Sequence, residues 1–119
     1  MRNILLIIYL SLTPIFVATA ATDIDSMECV LAKMPSGDRL VKLDELASDK
    51  GQGLDYKYYA DRLLKEAELS KDDTYKGNAL FQIIRYYYSR NIDSMYFFIK
   101  KAEPIYLAQK RYEDLCRIT

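Results

Sequence analysis

After residue 24, apolar positions recur at spacings of three and four, the period that places side chains on one face of an α-helix. Met27, Val30, Leu31 and Met34 form the first such stripe. Pro35-Ser36-Gly37 is expected to end that helix. Leu40, Leu43, Leu46 and Ala47 mark a second helix, stopped by Gly51-Gln52-Gly53, since glycine supplies the left-handed residue that a helix end prefers. Tyr56, Tyr59, Ala60, Leu63, Leu64 and Ala67 make a continuous stripe on a third. Ser70-Lys71-Asp72-Asp73 reads as a turn in which Asp72 or Asp73 caps the next helix. The fourth helix spans about 74–88, with Leu80, Ile83, Ile84 and Tyr87 inward. Ser89-Arg90-Asn91 connects it to a fifth, whose inward face is Met95, Phe98, Ile99, Ala102 and Tyr106. A last helix starts near Lys110 and still runs at Thr119. No Asn-Gly or Asp-Gly hairpin and no sustained alternation argues for strands. Tyr86-Tyr87-Tyr88 and Tyr96-Phe97-Phe98 therefore read as parts of helices.

The N-terminus follows a different pattern. Arg2 is the only charge before Asp23, and Ile4 to Leu12 is an apolar block of signal-peptide length. Pro14 interrupts it, and Ala18-Thr19-Ala20 offers the small residues a signal peptidase accepts. The expectation is an export signal over residues 1–20, cleaved after Ala20, with a retained anchor as the alternative. The block is short for a bilayer, which needs ~20 apolar residues. The organisation expected is a signal over 1–20, a linker with a short helix over 21–37, and a helical region over 38–119. The compartment implied is periplasmic or otherwise outside the cytoplasm.

Composition excludes more than it assigns. The 119 residues carry no net charge and no block of like charge, which gives no support for nucleic-acid binding. Tyrosine is abundant at 11, while tryptophan and histidine are absent. Without histidine, the commonest general base and metal ligand is missing and no Ser-His arrangement can be built. No glycine-rich phosphate loop, metal-spaced cluster or nucleophile elbow occurs. No enzyme activity, cofactor or metal is expected. Cys29 and Cys116 both have apolar neighbours, so two unpaired, buried thiols are expected.

The third and fifth helices match at an offset of 35: Ala60, Leu64 and Ala67 correspond to Met95, Ile99 and Ala102. A helix pair recurring at this period is the mark of a helical solenoid, with small residues allowing close packing. Residues 38–119 resemble tetratricopeptide repeats, giving an all-α fold of antiparallel helix pairs stacked as a short solenoid: about two pairs and the start of a third. The best unit is 76–109. Its Tyr86 and Ala102 stand where the family has an aromatic and an alanine, Asn91-Ile92-Asp93-Ser94-Met95 resembles the family's turn and helix start, and Ala79 and Ile99 take the places of a large residue and an aromatic. Ile83 departs from a small family residue, Pro104 comes earlier than the family proline, and the first unit's turn at Gly51–Gly53 is shortened. The signal, the segment from Asp25 through Cys29-Val30-Leu31 to Met34-Pro35, and Tyr86-Tyr87-Tyr88-Ser89-Arg90-Asn91 together look like the exported N-terminal region of Bacteroidetes sensor histidine kinases and related regulators.

That resemblance implies an interaction or sensory module, the N-terminal fragment of a membrane-bound signalling protein whose membrane span and kinase would follow. A free periplasmic adaptor that binds peptides or proteins is the alternative. The partner expected is a protein or peptide, self-association included, and the first helix of each pair would line the groove. Gln82, Arg85 and Tyr86 are the candidate groove-facing residues. Successive residues on a helix point about 100° apart, so the tyrosine triplets cannot share one face and some of their rings must pack inward. Lys100-Lys101 and Lys110-Arg111 are expected to solvate helix surfaces or complement helix C-termini. Asp72-Asp73 lacks the further oxygens that calcium requires.

Overall fold

The computed structural model describes residues 20–48 and 55–119. Residues 1–19 of the segment expected to be an export signal, and the expected stop at Gly51–Gly53, lie outside them. Six helices occur among the described residues: α1 (Ala20–Ala32), α2 (Ser36–Ser48), α3 (Asp55–Ser70), α4 (Asp73–Tyr87), α5 (Ile92–Ala108) and α6 (Tyr112–Ile118). The chain divides into two compact units, Met1–Met34 and Pro35–Thr119.

In the first unit α1 ends in a tightened turn, with Lys33 and Met34 N–H donating to the carbonyls of Val30 and Leu31 at 3.1 Å each. Val30 and Cys29 are exposed.

In the second unit consecutive helices pack antiparallel, and α4 also touches α2 and α6. Ser36 and Gly37 do not end the preceding helix; they open α2. The Pro35 carbonyl accepts the first helical bond from Arg39 N–H at 2.9 Å. Gly37 is exposed, and a first turn needs no side chain there to pack. Leu40, Leu43 and Ala47 turn inward. From α3 come Tyr56, Tyr59, Ala60, Leu63 and Ala67, with Leu64 half-buried. Asp72 caps α4, its Oδ1 accepting from Tyr75 N–H at 3.1 Å. Asn91 caps α5 in the same way, accepting from Ser94 N–H at 3.0 Å. Each cap satisfies a donor that the first turn otherwise leaves unpaired.

The core joins Leu80 and Ile84 of α4 to Ile99, Ala102 and Tyr106 of α5 and Ile118 of α6. Met95, Phe98 and Leu115 pack against it from its edges. Tyr106 is its largest fully enclosed side chain, and its hydroxyl donates to the Gly77 carbonyl at 2.6 Å. Pro104 lies inside α5, which continues through it to Ala108. The residue is exposed, so the carbonyl it leaves without an N–H partner is on the solvent side.

Two turns are built alike. Lys71 and Lys110 both have φ 57°, the left-handed conformation. After Lys71, Asp72 N–H donates to Ala67 O at 2.9 Å; after Lys110, Arg111 N–H donates to Tyr106 O at 2.8 Å. These are Schellman caps at the ends of α3 and α5, 39 residues apart. At that offset Ala60, Leu63 and Ala67 coincide with Ile99, Ala102 and Tyr106, all buried. The turns thus set an offset of 39 where residue similarity suggests 35.

Both cysteines are exposed and unpaired, contrary to the expectation of burial. Cys116 sits next to the half-buried Leu115 and two residues before the buried Ile118, and the helical rotation carries it off their stripe. An apolar neighbour in sequence is therefore no guide to burial on a helix.

Candidate binding groove

Helices α2, α4 and α6 lie side by side, and their facing residues form a groove. Asn78, Gln82 and Arg85 follow one another at spacings of four and three on α4, so they share one face. The polar stretch of the groove is a hollow of about 250 Å³ lined by Asp44 and Ser48 of α2, Asn78, Phe81 and Gln82 of α4, Arg111, and Asp114 and Arg117 of α6. A second hollow, of about 170 Å³ and mostly apolar, adjoins it and shares Phe81 and Arg117.

Arg111 organises the polar stretch. Its Nε donates to Asp114 Oδ2 at 2.8 Å, Nη2 to Asn78 Oδ1 at 2.7 Å, and Nη1 to the Thr74 carbonyl at 3.1 Å. Its guanidinium also lies 4.9 Å from the centre of the Tyr106 ring. Asn78 in turn donates to Asp44 Oδ2 at 3.5 Å. A polar relay therefore runs from α2 across α4 to α6. Burial raises the Asp44 carboxyl above its ordinary value of 3.8, while the Asn78 hydrogen bond and the Arg111 charge pull it back and Glu45 adds to the rise. Arg111 neither solvates the surface nor complements a helix C-terminus, the two roles expected of Lys110-Arg111, but bonds the N-terminal turns of α4 and the first turn of α6. It follows a left-handed cap, which aims its side chain back at α4. Its sequence context, a basic pair at a helix end, carries no signal of this.

Gln82 and Arg85 both line the groove, and Arg85 Nε donates to Gln82 Oε1 at 3.0 Å. Tyr86 lies elsewhere. Its ring meets Tyr56 edge-on at 6.0 Å and Tyr87 at 5.2 Å, beneath the cations of Lys57 and Arg90. One residue along a helix rotates the side chain out of the groove and toward α3. Of that triplet, Tyr88 is 74% exposed and the other two are half-buried. Among the repeat-packing residues, Ala60, Ala67, Ile99 and Ala102 are buried, and Leu64 and Met95 are half-buried against the same core.

Glu66 is a buried charge outside the groove that periodicity does not reveal. It lies on the inward face of α3, where Arg39 Nη1 of α2 reaches its Oε2 at 2.6 Å. Among the described residues no cluster of histidine, cysteine or carboxylates could hold a metal, and no helix is long and apolar enough to cross a membrane. Comparison of the chain with protein-family models, curated proteins and solved structures finds no match.

Proposed function

We propose that this chain is an exported helical-repeat module that binds a protein or peptide partner along the groove of α2, α4 and α6. The observation that carries the reading is the groove itself. Alternate helices stand side by side and present spaced hydrogen-bonding groups, Asp44, Asn78, Gln82 and Arg85, beside an apolar hollow. Such a surface can meet both the backbone and the side chains of an extended chain. The recurrence of one cap at Lys71 and Lys110 supports a repeat, with α2–α3 and α4–α5 as pairs and α6 opening another. The tetratricopeptide resemblance adds the expectation that first helices line the binding face.

In this reading residues 1–20 direct export and the module works in the periplasm. The narrower resemblance makes it the receiving part of a membrane-bound signal-transduction protein, with the free periplasmic adaptor as the alternative. N-terminal sequencing of the exported product should begin at Ala21, and a product that retains Met1 in the cytoplasm would reject export. For the groove, a photoreactive side chain at Gln82 should capture a partner that excess unmodified chain competes away. The same group at Lys65, on the exposed face of α3, should not. Equal capture from both positions, or none from Gln82, would reject the groove.

A further inference from the structure

The smaller hollow has a chemistry of its own. Its floor is Phe81 and Ile84 of α4 and Ile118 of α6, with Arg85 and Arg117 at its sides and Tyr88 at its rim. Among the described residues no acid lines it. Among the described residues the only ion pair of Arg117 is with Glu113, at 3.6 Å, and that carboxylate is 85% exposed, so the pairing is weak. Arg85 gives its Nε to a neutral amide and lies over the Tyr56 ring, and among the described residues no acid pairs with it. Two guanidinium groups over an apolar floor suit an anion with an apolar body, and the planar fork of arginine fits a carboxylate.

Size and surroundings narrow the ligand further. A volume of about 170 Å³ is well below the ~300–1,000 Å³ of ordinary ligand pockets, which limits the body to a short branched chain or a single ring. The adjoining polar hollow carries Asp44 and Asp114. Its Arg111 is already taken up by Asp114, Asn78 and the Thr74 carbonyl, and Arg117 is shared with the smaller hollow. A second carboxylate would therefore meet the two acids with no further free cation among the described residues, and a single charge is favoured.

We propose that this hollow binds a small apolar monocarboxylate, a branched-chain or aryl-substituted short acid. Arg85 and Arg117 hold its carboxylate, and Phe81, Ile84 and Ile118 hold its body. The inference deepens the receptor reading above and rests on it for the use of such a ligand, while the recognition chemistry belongs to the hollow alone.

The test is titration of the full chain with 4-methylpentanoate and phenylacetate, followed by calorimetry and NMR at fixed salt. Their amides, glutarate, and the peptide Gly-Gly-Leu with a free C-terminus serve as comparators. Both acids should bind, with the amides and glutarate at least tenfold weaker. Arg85→Gln and Arg117→Gln should each weaken binding roughly tenfold, the loss expected for one charge-assisted contact. Both residues are exposed, so circular dichroism should show unchanged folding. Lys65→Gln, which removes a distant positive charge, should leave binding unchanged. No acid binding at millimolar concentration, amides that bind equally, or arginine variants that bind as the parent would overturn the proposal. So would tighter binding of the peptide than of the free acids. Capture from Gln82 that persists when the acids fail to bind would remove this inference and leave the partner groove standing.

Discussion

Gly77 lets α4 approach Tyr106 and Arg111 closely. A Cβ there would lie 2.8 Å from Arg111 Nη1 and 2.9 Å from Tyr106 Cε1. The arginine end can swing aside, but the Tyr106 ring is fully enclosed and cannot retreat. Gly77→Ala gains ~1 kcal/mol of helix propensity and loses ~1–3 kcal/mol to overpacking. The thermal midpoint should fall, and a rise would show that the ring has room. Tyr106 makes a second prediction. Burial pushes its hydroxyl from 10.0 up to about 12. Between those values the unfolded chain loses the proton and the folded chain keeps it, so stability falls as pH rises through the window. The full loss is about 3 kcal/mol, reached near the upper end. Tyr106→Phe should cost ~1 kcal/mol at neutral pH through the lost bond to Gly77 O. Denaturant unfolding should show that deficit shrinking above pH 10. A deficit constant from pH 8 to 11.5 would contradict the buried-hydroxyl account.

At the scale of the element, the ends of α3 and α5 hold lysine where glycine is preferred. A side chain at φ 57° meets steric resistance that glycine avoids. Lys71→Gly and Lys110→Gly should each stabilise the fold by about 0.5–1 kcal/mol. Because Gln109 and Arg111 beside the second cap both bond Thr74 just after the first, the double variant should depart from the simple sum. Urea midpoints check this, and a loss from either variant would mean that the lysine side chain supports its cap. These turns also mark the boundary of what periodicity reveals. The apolar stripes predict α2 to α5 and their buried faces, because burial on a helix repeats with its geometry. The 39-residue offset between the caps of α3 and α5 is hidden because it is set by backbone conformation at two lysines, whose identity does not signal a left-handed turn. Ser36-Gly37 misleads for a related reason: residues that break one helix can serve as the first turn of the next. Cys29 and Cys116 mislead because apolar neighbours in sequence are not neighbours on a helical face.

At the scale of the whole helical unit from Pro35 onward, the groove depends on contacts that join distant segments. Helical spacing places Gln82 and Arg85 together on α4, but Asp44, Arg111 and Asp114 join them only when α2 and α6 pack beside that helix. Periodicity carries no information about which polar residues of separate helices will meet. The Asp44 carboxyl reports on this assembly. Its folded value lies above the ordinary 3.8, with burial the largest cause. The folded state therefore holds the proton to higher pH than the unfolded chain does. Asp44 contributes most favourably at acid pH, and that contribution is lost as pH rises through its raised value. Asp44→Asn keeps an oxygen to accept the Asn78 amide and removes the charge. It also forfeits the attraction of Arg111, which is the smaller effect. The variant should be more stable than the parent at neutral pH, and its advantage should vanish as pH falls below 3.8. Comparing the two chains by denaturant midpoint from pH 3 to 7.5 cancels the carboxylates they share. A variant less stable at neutral pH would mean that Arg111 outweighs desolvation, and that the relay across α2, α4 and α6 is held together by charge rather than merely tolerating it.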